Sequence, residues 1–167
     1  MVSGCGGTHD TVMSATLTDA GCVYRGDTAV EAGTFTISVD NETDHEANFV
    51  LARLADGYTS ATIQPVLAKE TAWVRSLSAK ELSGIERGQA PTAHPRPDLA
   101  TIFDFNHGGS ATEIGAGETS ELPGGDPGSF AVICQNLTDV GKLPRQQFVA
   151  TGISVTGSRP GVTTAGS

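Results

Sequence analysis

Three cysteines and four histidines are the residues of this 167-residue sequence whose side chains most readily bind metals or react. They are Cys5, Cys22, Cys134, His9, His45, His94 and His107. A thiolate with two imidazoles suits copper, whereas two thiols can form a disulfide. Cys134 therefore has three open interpretations: a copper ligand, half of a disulfide, or a residue of the core.

Cys5 has a separate interpretation as a lipid attachment site. The stretch Val2-Ser3-Gly4-Cys5 resembles the end of a bacterial lipoprotein signal peptide, in which small residues precede the cysteine that is lipidated after cleavage. In this interpretation, Met1 replaces the charged and apolar parts of the signal peptide. Cys5 is predicted to be a membrane anchor, and the compartment one outside the cytoplasm, where disulfides persist.

The two remaining cysteines, Cys22 and Cys134, are then available for a disulfide. Closing a loop of more than a hundred residues would stabilise the fold by roughly 4 to 5 kcal/mol on the chain-entropy model. An oxidised Cys134 would offer no thiolate to a metal. The disulfide and the copper interpretation therefore exclude each other.

The charge and the motifs of the chain exclude several function classes. The formal net charge is −9, and the ten Lys and Arg residues are scattered, so binding to nucleic acid or to an anionic membrane by charge is not expected. The only expected link to a membrane is a lipid at Cys5. The sequence has no nucleophile elbow, phosphate-binding loop, His-Glu-x-x-His or Cys-x-x-Cys motif, so no enzyme class is indicated.

Alternating patterns predict a chain of short β-strands. Phe35, Ile37 and Val39 alternate with polar residues, and residues 47–54 are apolar on both faces, as in a central strand. Further strands are predicted around the turn at 19–21, over 99–106, on both sides of the turn at 122–128 with one ending at Cys134, and over 146–155. Glycine and proline between these segments favour an all-β Greek-key sandwich of seven or eight strands.

The β pattern is interrupted by a helical insertion around 59–87. Ser78 and Glu81 have the spacing of a capping box, and Trp73 follows helical spacing with its apolar neighbours. Pro65 is expected to limit the first helix to about one turn on either side unless it occupies the first helical position. Trp73 is predicted either to cap the core or to contact a partner.

Two segments resemble the cupredoxin family, in particular cupredoxin-like domains of bacterial lipoproteins. AGTFTISVDNETDHEANFVL resembles the strand ending in Val-x-Asn, the turn that presents a histidine, and the next strand. IGAGETSELPGGDPGSFAVIC resembles the later Gly-x-Thr strand, Pro-Gly turn and strand that ends in cysteine. The resemblance covers roughly residues 13–157 and implies a β-sandwich of cupredoxin type.

In copper-binding cupredoxins the site consists of that histidine, the cysteine, a second histidine soon after it and often a methionine. His45 and Cys134 match the first two positions. No histidine or methionine follows Cys134, and Arg145 lies near where the second histidine would be expected. The resemblance therefore implies an incomplete copper site. A set of His45, His107 and Cys134 is the alternative for a protein of electron transfer or copper trafficking.

The sequence thus predicts a tether over residues 1–12, a cupredoxin-like sandwich over 13–157 and a disordered tail over 158–167. The predicted function is a non-catalytic binding or structural module without cofactor, outside the cytoplasm, with an unidentified protein or small-molecule ligand. Loops on a rigid scaffold commonly carry recognition. The candidate binding surface comprises Asp44, His45, Tyr58 and Trp73.

Overall fold

A computed structural model of the protein describes residues 12–157, which form two β-sheets packed face to face with two helices outside one sheet. The predicted all-β sandwich with a helical insertion is therefore confirmed. Residues 1–11 of the predicted tether, which include Cys5, lie outside the described residues. The predicted tail over 158–167 lies outside them as well.

Nine strands and two helices occur in this range, against seven or eight strands predicted. The strands are β1 (Met13–Thr18), β2 (Gly21–Arg25), β3 (Ala29–Glu31), β4 (Phe35–Asn41), β5 (Ala47–Arg53), β6 (Gly109–Ile114), β7 (Thr119–Gly124), β8 (Gly128–Leu137) and β9 (Pro144–Thr156). The helices are α1 (Ser60–Ser76) and α2 (Ala79–Glu86). The higher count includes β3, a three-residue edge strand too short to give a periodic signal.

The first sheet has the strand order β2-β1-β4-β7 and the second has the order β3-β9-β8-β5-β6. Neighbouring strands are antiparallel except for the parallel pairs β1 with β4 and β3 with β9. We call the end at which β4 finishes and β5 begins, residues 41–47, the His45 end. The opposite end, at which β5 finishes, carries residues 53–58 and 100–109 and is called the Phe105 end.

The core between the sheets follows from the strand alternation. Ile37 and Val39 of β4 are fully buried and face Phe49 and Leu51 of β5 across the sandwich. Cys134 lies in the same apolar cluster. Burying one Val, Ile, Leu or Phe side chain contributes about 1.5 to 3 kcal/mol to the stability of a fold. This cluster is therefore the main source of the fold's stability.

Helix α1 packs on the outer face of the second sheet. Ile63 and Leu67 are buried against residues of β5 and β8, which explains why β5 is apolar on both faces. The helix continues past Pro65, contrary to the expected interruption. Pro65 removes one backbone donor in the second turn, and the buried face of Ile63 and Leu67 outweighs that loss. Both helices begin with capping boxes, and the predicted box of Ser78 and Glu81 is confirmed.

A chain of polar side chains joins the sheet to α1. Asn48 Nδ2 donates to Gln135 Oε1 at 2.9 Å, and Gln135 Nε2 donates to Gln147 Oε1 at 2.6 Å. Gln147 Nε2 donates to Glu70 Oε2 at 2.7 Å. Glu70 is 1% exposed, and Arg96 donates from Nε and Nη2 to its other oxygen. The segment 89–98 is therefore bound to the sheet through α1.

The predicted strand over residues 99–106 does not form. Only an isolated bridge joins Phe103 to Leu54, and Ile102 and Phe103 are buried against the outer cluster beside α1. A short apolar run signals burial, but it does not distinguish a strand from an irregular segment that packs on a sheet.

Within residues 12–157, neither helix has the length and apolar character needed to cross a membrane.

Candidate functional site

The loop that carries His45 is held by the buried side chain of Asn41, the last residue of β4. Asn41 Nδ2 donates to the carbonyl oxygens of His45 at 2.7 Å and Gly115 at 3.0 Å. Asn41 Oδ1 accepts from the backbone N–H of Thr43 at 3.1 Å and from its hydroxyl at 2.7 Å. All four hydrogen-bonding positions of the amide are used, so Asn41 fixes the loop on the end of the sandwich.

A second buried amide lies directly below this loop. Asn136 is 1% exposed, and its Oδ1 lies 3.0 Å from the hydroxyl of Thr43. Its Nδ2 donates to Gln146 Oε1 at 3.1 Å. Buried polar groups in mutual contact specify one arrangement of the loop. The His45 loop is thus connected to both sheets.

The His45 imidazole is in contact with a guanidinium group. Arg145 Nη1 lies 2.7 Å from His45 Nε2, and both side chains are partly buried. Arginine has donors only, so Nε2 must accept in this contact, which places the imidazole proton on Nδ1. Nε2 of His45 is therefore hydrogen-bonded to a cation.

Cys22 and Cys134 form the predicted disulfide, with an S–S distance of 2.00 Å and a Cα–Cα distance of 6.1 Å. Cys22 belongs to β2 in the first sheet, and Cys134 belongs to β8 in the second. The bond therefore connects the two sheets through the core. Neither sulfur is a free thiolate.

Cys134 also lies further from the His45 end than the sequence suggested. The strand does not end at this cysteine: β8 continues to Leu137, whose N–H donates to the carbonyl of Glu46 at 2.9 Å. At about 3.3 Å per residue, three residues place the Cys134 backbone about 10 Å below the level of Glu46. The strand continues because Gln135 and Asn136 stay paired with both β5 and β9.

The connection between β8 and β9 closes as a short turn at the His45 end. Thr138 N–H donates to the Leu143 carbonyl at 2.8 Å, and Leu143 N–H donates to the Thr138 hydroxyl at 3.0 Å. Lys142 has a φ of 47° and places Nζ 2.8 Å from Glu46 and 3.4 Å from Glu113. These carboxylates raise the pKa of Lys142, so the ammonium group remains charged. The loop that would carry the missing ligands is thus closed by internal contacts.

The alternative set of His45, His107 and Cys134 is not brought together. The carbonyl of His107 accepts from Arg53, the last residue of β5, whereas His45 precedes β5. The length of β5 separates them by about 20 Å. His107 Nδ1 contacts both oxygens of Asp104 at 2.9 Å, at the Phe105 end.

The four residues of the candidate binding surface are likewise divided. Asp44 and His45 lie together at the His45 end, with Asp44 exposed. Tyr58 lies near the start of α1, at the Phe105 end. Trp73 is 8% exposed, packs with Leu143 and donates from Nε1 to the His94 carbonyl at 2.6 Å. Trp73 therefore caps an apolar cluster, which was one of its two predicted roles.

The donors at the His45 end do not fit a type 1 copper ion. That ion needs a thiolate and two imidazoles around one point. Here the sulfur is oxidised and distant, one imidazole nitrogen is occupied, and arginine cannot bind a metal. In the described part of the chain, no three His, Cys, Asp or Glu side chains are grouped so that they could hold a metal ion.

No family model and no curated protein matches this sequence. Three solved structures of auracyanins are similar in fold. Reduced auracyanin from the photosynthetic bacterium Roseiflexus castenholzii is 14% identical, with 88% of this chain and 98% of that chain covered and a TM-score of 0.40. Auracyanin A of Chloroflexus aurantiacus, described as a "blue" copper protein, is 15% identical, with 87% and 98% covered and a TM-score of 0.40.

Auracyanin B is 15% identical, with 86% of this chain and 87% of that chain covered and a TM-score of 0.39. The auracyanins have the cupredoxin type of sandwich that the sequence of this chain predicts.

Proposed function

We propose that this chain is a non-catalytic binding or structural module that works outside the cytoplasm and uses no metal. The contact between Arg145 Nη1 and His45 Nε2 carries the proposal. It places a permanent cation against the one histidine that matches a copper ligand. A metal ion at that nitrogen would have to displace the guanidinium and would meet its positive charge.

The proposal of a non-catalytic role is supported by the partners of the histidines. Within residues 12–157 the three imidazoles contact the side chains of Arg145, Glu81 and Asp104. None of these contacts pairs a histidine with a hydroxyl or thiol nucleophile. The nucleophile and base arrangement of hydrolases therefore has no counterpart among these contacts.

The proposed location is supported by the disulfide of Cys22 and Cys134. Such bonds persist in oxidising compartments and are rare in the cytosol. The Val2-Ser3-Gly4-Cys5 stretch supports a lipid at Cys5, which would hold the module at a membrane surface.

Thiol titration and copper addition test the proposal together. The denatured, unreduced and unlipidated protein should give one free thiol, and the reduced protein should give three. Adding Cu(II) to the folded protein should produce no intense blue absorption. Three free thiols before reduction, together with a blue Cu(II) complex, would instead identify a copper protein that uses His45 and Cys134.

A further inference from the structure

A groove at the Phe105 end, remote from His45 and Arg145, has a volume of about 670 Å³. Its walls include Arg53, Asp56, Phe103, Asp104, Phe105 and His107. Sites for small ligands commonly have volumes of roughly 300 to 1,000 Å³ and combine an apolar surface with a few fixed polar groups. The groove has this size and this combination.

Phe105 supplies an exposed aromatic surface beside the groove. It is 68% exposed, the highest value for any aromatic residue of the described range. Its ring is supported by buried Phe103, with the ring centroids 5.5 Å apart and the planes at 53°. Because Phe103 already restricts the Phe105 side chain, a ligand that covers the ring costs little further conformational entropy.

The polar wall of the groove is fixed by internal contacts. Arg53 Nη1 donates to the carbonyls of His107 at 3.0 Å and Pro127 at 2.6 Å, and its Nε lies 3.6 Å from Asp104. The hydrogen bond with His107 is the largest of the effects that lower the pKa of Asp104, so this group is a carboxylate at neutral pH. Groups positioned in advance bind a ligand at lower entropic cost.

The pairing of Arg53 with Asp104 leaves mainly hydrogen-bond acceptors for a ligand of the groove. Arg53 is paired with Asp104 and with two carbonyls, so it offers little to an anion. Asp104 is already contacted by His107 and by the N–H of Asn106, so it offers little to a cation. The groups that can still accept a hydrogen bond from a ligand are the Asp104 carboxylate, the outer nitrogen of His107 and the carboxylate of exposed Asp56.

We propose that this groove binds a neutral carbohydrate. A sugar ring presents a face of C–H groups that can cover the Phe105 ring, while its hydroxyl groups donate hydrogen bonds to the acceptors of the polar wall. The proposal names a ligand class for the binding role and therefore rests on the proposed function. It does not depend on the His45 end, which lies at the other end of β5.

Chemical-shift titration of the full chain with neutral trisaccharides tests the proposal. The probes are glucose, mannose, galactose and N-acetylglucosamine trimers at millimolar concentration. At least one trimer should give saturable shifts confined to residues 53–56 and 100–107. Phe105→Ala should weaken this binding about tenfold or more, because the aromatic anchor is lost. Val23→Ala, which removes another exposed apolar side chain, on β2, should leave it unchanged.

Absence of saturable shifts with all four trimers would overturn the proposal, and so would equal binding by the Phe105→Ala variant. Binding of an apolar peptide but of no sugar would assign the groove to a protein partner and would equally overturn it. None of these outcomes affects the thiol count or the copper test. Failure of the carbohydrate proposal is therefore distinguishable from failure of the proposed function.

Discussion

Arg145 and His45 are one hundred residues apart in sequence, and Arg145 Nη1 lies 2.7 Å from His45 Nε2. The arginine is on β9 and the histidine is in the loop before β5, so the contact joins β9 to a loop beside a strand that is not its neighbour in the sheet. Because the guanidinium only donates, this contact sets the tautomer of the imidazole.

The tautomer of His45 is the first prediction. In the native protein the proton should reside on Nδ1, and Arg145→Met should allow the Nε2-protonated form to appear, because Nε2 no longer has a donor beside it. Long-range proton and nitrogen correlation spectra of the imidazole distinguish the forms. Arg25→Met, at an exposed position on β2, is the control. A native His45 with its proton on Nε2 would contradict the observed contact.

Asn41→Ala should lower the free energy of unfolding by about 2 to 4 kcal/mol. The substitution leaves the carbonyls of His45 and Gly115 and the N–H of Thr43 without their partner. Urea unfolding gives the free energy, and amide exchange should show faster exchange at Thr43. Asn106→Ala, at an exposed loop position, should cost less than about 0.5 kcal/mol. Equal effects of the two variants would exclude the proposed role of Asn41.

Removing Arg96 should show how much the buried Glu70 carboxylate lowers the free energy of unfolding when its ion pair is lost. Arg96→Ala should destabilise the fold by about 2 to 3 kcal/mol, since Glu70 would keep only Gln147 as a side-chain partner. The double variant Arg96→Ala with Glu70→Gln should recover roughly half of that loss, because no charge is then buried. Urea unfolding measures both values. A control is Arg87→Ala, which removes an exposed bond to Ser83. A double variant less stable than Arg96→Ala alone would contradict the prediction.

The carboxyl of Glu81 should make stability depend on pH in the acidic range. The hydrogen bond with His94, followed by those from the backbone and hydroxyl of Ser78, lowers the pKa of Glu81 from 4.5 to about 2. A depressed pKa in the folded state contributes stability above the unfolded value, and that stability is lost as the pH falls from about 4.5 towards 2. The Glu81→Gln variant should therefore lose less stability between pH 5 and pH 2 than the native protein. Thermal unfolding at several pH values measures the difference, and parallel curves would refute it.

Sequence reasoning succeeded where the signal is local. The alternation of Ile37 and Val39 gave β4, and the spacing of Ser78 and Glu81 gave the start of α2. Both depend on periods of a few residues, which one sequence contains. Counting cysteines gave the disulfide, because the third cysteine had a separate interpretation.

The predictions that failed depend on contacts between distant residues. The predicted strand end at Cys134 comes from the resemblance to a copper-binding segment, whereas β8 continues to Leu137 because β5 and β9 pair with its last residues. Arg145 was recognised only as a residue that is not a copper ligand. Its contact with His45 spans one hundred positions, and no local pattern signals such a pair. Phe105 was assigned to a strand, so its exposure was not expected.

The disulfide between Cys22 and Cys134 also determines how the protein would respond to mechanical force. A pull applied between the two ends of the chain reaches the covalent bond after only β1 on one side and β9 on the other. The 112 positions between the cysteines cannot extend while the bond is intact. About 380 Å of contour length is therefore unavailable for extension. Only β1, β9 and the adjoining ends of β2 and β8 could be drawn out before the bond bears the force.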